Sequence, residues 1–242
     1  MSKTGGIIFA RMNSTRLPGK ALKMIEGITL LGRVINASLK INNIDHLCIA
    51  TSSSPEDDKI ELFAKKVGVA VYRGSEDDVI DRAIKASSKF KYQSFARICG
   101  DRPFINSEIY DELLLSHNKC NADITTNIFP RCVPFGLSAE IINVKSLGSI
   151  TSLLTNNSEK EHITKFFYNN YNNFKINKVN HKNVFVEHIL TRLVVDNEND
   201  LKKTRWMIKN HKKQKIKVST KSLIEMDNQW QLNYSTNNIN SK

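Results

Sequence analysis

No apolar run in this chain approaches the ~20 residues that a membrane-spanning helix needs. The first residues, Met1-Ser2-Lys3-Thr4, lead straight into a strand-like segment without the apolar core of a signal peptide. Both absences point to a cytoplasmic protein. Cysteine is scarce. The four present, Cys48, Cys99, Cys120 and Cys132, form no C-x-x-C pair, the spacing that zinc sites usually show. Cys48 and Cys99 sit inside apolar runs and read as small buried hydrophobes. Two nucleotide-binding fingerprints are also missing, G-x-x-x-x-G-K-[ST] and G-x-G-x-x-G. No internal repeat or Gly/Pro-rich linker divides the 242 residues. Negative charge is in short supply, with 24 acidic against 36 basic side chains and a net charge of +12. Much of the excess falls late, at Lys202, Lys203, Arg205, Lys209, Lys212, Lys213, Lys215, Lys217 and Lys221. No aromatic stacking motif accompanies it, so the segment reads as a solvated basic helix, and nucleic acid is not an expected partner.

The hydrophobic pattern that is present alternates between two periods. Ile7–Ala10 is a strand-like run, and Thr29 stands where it can cap a helix carrying Leu30, Leu31, Val34, Ile35 and Leu39 at helical spacing. His46–Thr51 is a second strand. Ser54-Pro55-Glu56 opens a helix that Gly68 ends. Val69–Tyr72, a helix from Glu76 to Phe90 and a strand at Phe95–Cys99 follow. Such alternation predicts an α/β fold with a mostly parallel sheet and helices on both faces, whose ligands bind beyond the carboxyl ends of the strands. Beyond it the pattern predicts a helix over Ser107–Asn118, strands at Asp123–Thr126 and Leu137–Val144, and helices over Lys145–Leu154 and Glu159–Tyr171. A short strand Leu193-Val194-Val195 then ends at Asp196, a helix covers Glu198 to His211, and Ser219 caps one more. One domain over 1–230 is expected, with a loose polar tail over 231–242.

Three polar clusters follow strands. Arg11–Lys20 holds three fixed cations, Arg11, Arg16 and Lys20, with the hydroxyls of Ser14 and Thr15 and a Pro18-Gly19 turn. That composition suits a polyphosphate. Arg73-Gly74-Ser75-Glu76-Asp77-Asp78 comes next, readable as a ligand loop or as ordinary capping of the helix that follows. In the third, Gly100 and Pro103 turn the chain and leave Asp101 at the sheet rim. A carboxylate facing a polyphosphate loop is a natural Mg²⁺ ligand, and Asp196 can supply a second; each can equally cap a turn or helix. Glu161-His162-Ile163-Thr164 and Pro134-Phe135-Gly136, with Glu140 beyond it, complete the set.

Ser14-Thr15-Arg16-Leu17-Pro18-Gly19-Lys20, Arg73-Gly74-Ser75-Glu76-Asp77-Asp78-Val79 and Gly100-Asp101-x-Pro103 resemble the cytidylyltransferase superfamily. Those enzymes make CMP-activated acidic sugars such as CMP-3-deoxy-manno-octulosonate and CMP-sialic acid. The likeness extends to the spore-coat-polysaccharide-type branch through Pro134-Phe135-Gly136, Glu161-His162-Ile163-Thr164 and Val195-Asp196 before Glu198-Asn199-Asp200-Leu201. The chain departs from that branch at Asn13, where glycine is frequent. The resemblance implies a three-layer α/β/α nucleotidyltransferase fold with a small subdomain within 125–185, working as a homodimer. It implies transfer of CMP from CTP to a sugar hydroxyl with release of pyrophosphate. In that reading Arg11, Ser14, Arg16 and Lys20 hold the triphosphate, and Asp101 and Asp196 hold Mg²⁺. Arg73, Ser75, Asp77 and Asp78 lie near the base and ribose, while Glu140, Glu161 and His162 face the acceptor sugar. Three alternatives stand beside it. A glycosyltransferase of similar architecture would carry Asp-x-Asp where this chain has Asp101-Arg102. A guanylyl- or uridylyltransferase would differ in its nucleotide, and a nucleic-acid-binding or scaffold protein would use the basic C-terminal region.

Overall fold

The first strand sets the architecture. The computed structural model describes residues 3–180, 190–214 and 219–239. Adjacent residues Ile7 and Ile8 in β1 (Thr4–Phe9) are both fully buried. Successive side chains of a strand point to opposite faces, so both faces of this sheet must be covered. After a hairpin of β2 (Met24–Ile25) and β3 (Ile28–Thr29) come α1 (Leu30–Ser38), β4 (His46–Ser52), α2 (Asp58–Lys66), β5 (Ala70–Gly74), α3 (Val79–Phe90) and β6 (Ser94–Cys99). Then follow α4 (Ser107–Cys120), β7 (Ile124–Thr126), β8 (Glu140–Asn143), α5 (Val144–Ser149), α6 (Asn157–Glu161), α7 (Lys165–Asn169), β9 (Ile176–Lys178), α8 (Glu198–Gln214) and α9 (Thr220–Ile239).

Seven strands form one sheet in the order β5-β4-β1-β6-β8-β7-β9. All neighbours are parallel except β8, which runs antiparallel to both β6 and β7. Ile8, Ile49, Ala96 and Ile141 face α1, α2 and α4, while Ile7, Cys48, Phe95 and Ile142 face α3, α5 and α7. The result is the expected three-layer α/β/α arrangement. A separate apolar cluster joins Leu17 and Leu30 to Val195, Leu201 and Ile208, tying the loop after β1 to the C-terminal part of the chain.

Several elements differ from the expectation. Leu193-Val194-Val195 adds no strand to the sheet. It runs as an extended connection whose backbone bonds to loops instead, Leu193 N–H to the Phe135 carbonyl at 2.6 Å and Val195 N–H to the Asp101 carbonyl at 3.0 Å. Gly136 allows this approach, since a Cβ there would lie 2.5 Å from the Leu193 carbonyl oxygen. The third helix starts at Val79, not Glu76, because the Asp78 carboxylate caps it by accepting the Asp81 N–H. The helix expected over Glu159–Tyr171 is split into α6 and α7 around His162–Thr164. The expected tail is helical over 231–239, within α9, where Trp230 packs on Trp206 and stacks on Tyr234. The basic helix is not simply solvated. Lys203 is 5% exposed and bonds to Asp227 at 2.6 Å, and Arg205 donates to the Met24 carbonyl. Lys215 and Lys217 lie outside the described residues. Among the described residues no helix is long and apolar enough to cross a membrane.

Candidate active site

The loop after β1 is shaped from outside itself. The Met12 N–H donates to the Asp57 carboxylate at 2.6 Å, and both Ser14 N–H and Gly19 N–H return to the Met12 carbonyl. Asp57 is 1% exposed and also accepts from Thr51 Oγ1, Ser52 Oγ and Ser52 N–H. Burial pushes this carboxyl up, but the bonds from Ser52, Met12 and Thr51 outweigh it and hold it below the ordinary carboxylate range. Leu17, buried in the apolar cluster described above, anchors the far side of the loop. The cations between these anchors are left facing a cavity.

That cavity has a volume of about 310 Å³ and lies beyond the carboxyl ends of β1 and β6. Arg11, Ser14, Arg16 and Lys20 line one side, Asp101 and Asp196 another, and Glu161 and His162 a third. Gly100 lets the Asp101 turn pack directly on the end of β1, since a Cβ there would lie 2.9 Å from both the Phe9 carbonyl oxygen and Ala10 Cβ. Asp101 and Asp196 converge on one point. Lys20 Nζ donates to Asp101 Oδ2 at 2.8 Å, to Asp196 Oδ1 at 3.1 Å and to the Val195 carbonyl at 3.0 Å. Asp196 also pairs with Arg16 at 3.2 Å and with Arg192. Burial pushes the Asp196 carboxyl up, yet Lys20, Arg16 and Arg192 together hold it below its ordinary value. Across the cavity Arg11 bonds to Glu161 at 3.1 Å. Among the described residues no three His, Cys, Asp or Glu side chains form a complete metal-binding group. Two carboxylates alone suit a hard cation that takes its remaining ligands from phosphate oxygens and water. The ammonium of Lys20 marks where such a cation would find both carboxylates.

Other expected residues have different surroundings. Arg73 does not line the cavity. Its guanidinium is spent on Asp58, Glu61 and the carbonyls of Ser52 and Ser54. Ser75 accepts the Asp78 N–H and Asp78 caps α3, so the capping reading describes both; neither they nor Asp77 line the cavity. Glu140 is 1% exposed and lies beneath the wall, paired with Arg97 and accepting the Tyr168 hydroxyl at 2.6 Å. The Arg97 that it holds does line the cavity.

Arg82 is the residue that sequence reasoning missed. It is 3% exposed and lines the cavity. Nη1 donates to the Ser75 and Glu76 carbonyls, Nε has no hydrogen-bond partner, and among the described residues the guanidinium forms no ion pair. Burial lowers its pKa, and the nearby charge of Arg11 lowers it further. Its place in the buried stripe of α3, with Val79, Ala83 and Ala86, was the available signal.

The sequence profile of the cytidylyltransferase family matches residues 6–229. The spore coat polysaccharide biosynthesis protein SpsF of Bacillus subtilis is 34% identical over 168 residues, covering 67% of this chain and 69% of that protein. A cytidylyltransferase structure from Leptospira borgpetersenii superposes with a TM-score of 0.83 at 28% identity, over 97% of this chain and 96% of that one. CMP:2-keto-3-deoxy-manno-octonic acid synthetase, solved with CTP, shares the fold with a TM-score of 0.68 at 16% identity, over 87% and 100% of the two chains. A Mycobacterium tuberculosis protein solved with manganese shares it with a TM-score of 0.60 at 11% identity, over 85% and 99%.

Proposed function

This chain belongs to the cytidylyltransferase family, and on that premise we propose that it transfers CMP from CTP to a sugar hydroxyl and releases pyrophosphate. The acceptor is an acidic sugar destined for a cell-surface polysaccharide, a reading supported by the likeness to SpsF and to the synthetase solved with CTP. The observation that carries the proposal is the convergence of Asp101 and Asp196 beside a loop of three cations, at the mouth of one cavity.

Arg11, Ser14, Arg16 and Lys20 bind the triphosphate, and Arg82 adds a buried cation from the side of α3. Negative charge grows on the leaving pyrophosphate as the acceptor oxygen attacks the α-phosphorus. Cations fixed beforehand stabilise that charge without reorganising. Asp101 and Asp196 hold Mg²⁺, which supplies further charge stabilisation on the phosphate oxygens. Glu161 and His162 contact the acceptor. Glu140 and Tyr168 act beneath the wall by orienting Arg97, and Arg73 braces β5 against α2.

The test is pyrophosphate release from CTP and Mg²⁺ with a panel of sugar acids, aminosugars and polyol phosphates. Sugar acids should give turnover. Asp101→Asn and Asp196→Asn should each lower it roughly 10²- to 10³-fold, the scale of losing one transition-state electrostatic contact. The double variant should be little worse than either single one. Destabilised but fully active variants would make both carboxylates mere caps, and turnover with GTP but not CTP would reassign the nucleotide.

A further inference from the structure

The contacts of Lys20 deepen this reading of the site. A single ammonium, on a four-carbon stem, occupies the point where Asp101 Oδ2, Asp196 Oδ1 and the Val195 carbonyl oxygen meet, at 2.8, 3.1 and 3.0 Å. These are hard oxygen ligands, the kind that a divalent ion of the Mg²⁺ or Mn²⁺ class prefers. Two cations cannot share that point. The same lysine belongs to the loop that faces the cavity, and its side chain is 15% exposed, so an anion arriving there can reach it. Asp196 keeps Arg16 and Arg192 when Lys20 leaves, whereas among the described residues Asp101 has its ion pair with Lys20 alone.

We propose that Lys20 is the resident cation of the metal site in the nucleotide-free protein, and that the triphosphate opens the site by drawing Lys20 onto its own oxygens. Nucleotide and divalent ion then load together. Metal alone must displace an ion-paired ammonium, and nucleotide alone leaves two facing carboxylates without their bridging cation. Each ligand removes the other's cost, so each raises the other's affinity by the same factor. This inference rests on the reading that Asp101 and Asp196 hold the metal. It adds that Lys20 opposes metal binding before nucleotide arrives, although it favours nucleotide.

Mn²⁺ titrations followed by the electron paramagnetic resonance of the free ion test it, with wild type, Lys20→Met, Lys20→Gln, Asp101→Asn and the Lys20→Met/Asp101→Asn double variant. Without nucleotide, Lys20→Met should bind Mn²⁺ about tenfold more tightly than wild type, within the usual range of coupling between sites. The double variant should lose that gain. CTP should tighten Mn²⁺ binding strongly in wild type and much less in Lys20→Met. Melting temperatures supply a second readout. Mn²⁺ alone should raise that of Lys20→Met or Lys20→Gln more than that of wild type, by filling the place that the ammonium left. Nucleotide-free Mn²⁺ affinities of both Lys20 variants no higher than wild type would overturn the proposal and leave the metal reading intact. Mn²⁺ bound with CTP in wild type but indifferent to Asp101→Asn would overturn the metal reading itself, and the proposal with it.

Discussion

The Asp57 carboxylate accepts the Met12 backbone N–H at 2.6 Å, so a residue just ahead of α2 sets the shape of the loop after β1. Three further bonds from Thr51 and Ser52 fix that carboxylate in turn. The cations at Arg11, Arg16 and Lys20 are thereby held by an anion that does not line their cavity.

Asp57→Ala should cost about 3 kcal/mol in chemical denaturation, because it strands buried donors without an acceptor. It should also raise the KM for CTP as the loop loses its brace. The acid form should behave likewise. The pKa of Asp57 is depressed in the fold, so its contribution is complete above the ordinary carboxylate range and is lost as pH falls through the depressed value. A variant with normal KM and lowered stability would confine Asp57 to a purely structural role.

Arg82 makes a prediction of opposite character. Its charge is buried at the cavity wall with no ion-pair partner among the described residues, so removing it relieves a desolvation cost. Arg82→Met should leave the melting temperature of the free protein unchanged or raise it. The same change should lower kcat/KM for CTP about 10- to 100-fold, the worth of a charge-assisted hydrogen bond. Thermal shift with and without CTP, beside steady-state rates, separates the two effects. A large loss of stability with unaltered kinetics would make Arg82 a strut for the Ser75 and Glu76 carbonyls.

His117 gives the fold a pH dependence at milder acidity than the carboxylates do. It is 4% exposed, between Ser94 Oγ at 3.1 Å and Thr125 Oγ1 at 2.9 Å. Burial depresses its pKa from 6.5 to about 4, the charge of Asp123 opposing only in part. The unfolded chain therefore takes up a proton first as pH falls. Stability is complete above pH 6.5 and declines toward pH 4, by about 3 kcal/mol in all at 1.36 kcal/mol per unit. Urea melts at pH 7, 6 and 5 should show this slope, and His117→Gln should flatten it. An equal slope in the variant would assign the effect elsewhere.

The Lys203–Asp227 pair joins α8 to α9 at 2.6 Å, with both side chains less than a tenth exposed. Breaking one side of a buried pair leaves a naked charge, so Asp227→Asn should cost about 3–5 kcal/mol. Lys203→Met/Asp227→Leu should be far milder, since both charges leave together. Because Lys203 also donates to the Arg192 carbonyl, and Arg192 pairs with Asp196, the single variant should weaken turnover as well. Circular-dichroism melts of the three proteins, with turnover measured on the same samples, decide the matter.

The sequence by itself determined the elements with strong local signals. Thr29 caps α1 by accepting the Gly32 N–H, Gly68 stands just beyond α2 at φ 72°, and the alternation of strand and helix dictated a sheet covered on both faces. The cations of the loop after β1 and Asp101 were legible because each cluster follows a buried strand, and parallel strands deliver their carboxyl ends to one rim. The strands β2, β3 and β9, of two or three residues each, carry too little periodicity to be read. Only the tertiary structure decided the rest. Local sequence says nothing of what an ionic side chain will meet at long range. Arg73 met Asp58 and Glu61 and became a brace, Glu140 met Arg97 and went under the wall, and Arg82 went into the wall itself. Asp196 reached the site on a connection held by hydrogen bonds to the Phe135 and Asp101 carbonyls, not on a strand. Its meeting with Lys20, 176 residues away in sequence, is a property of how the layers close.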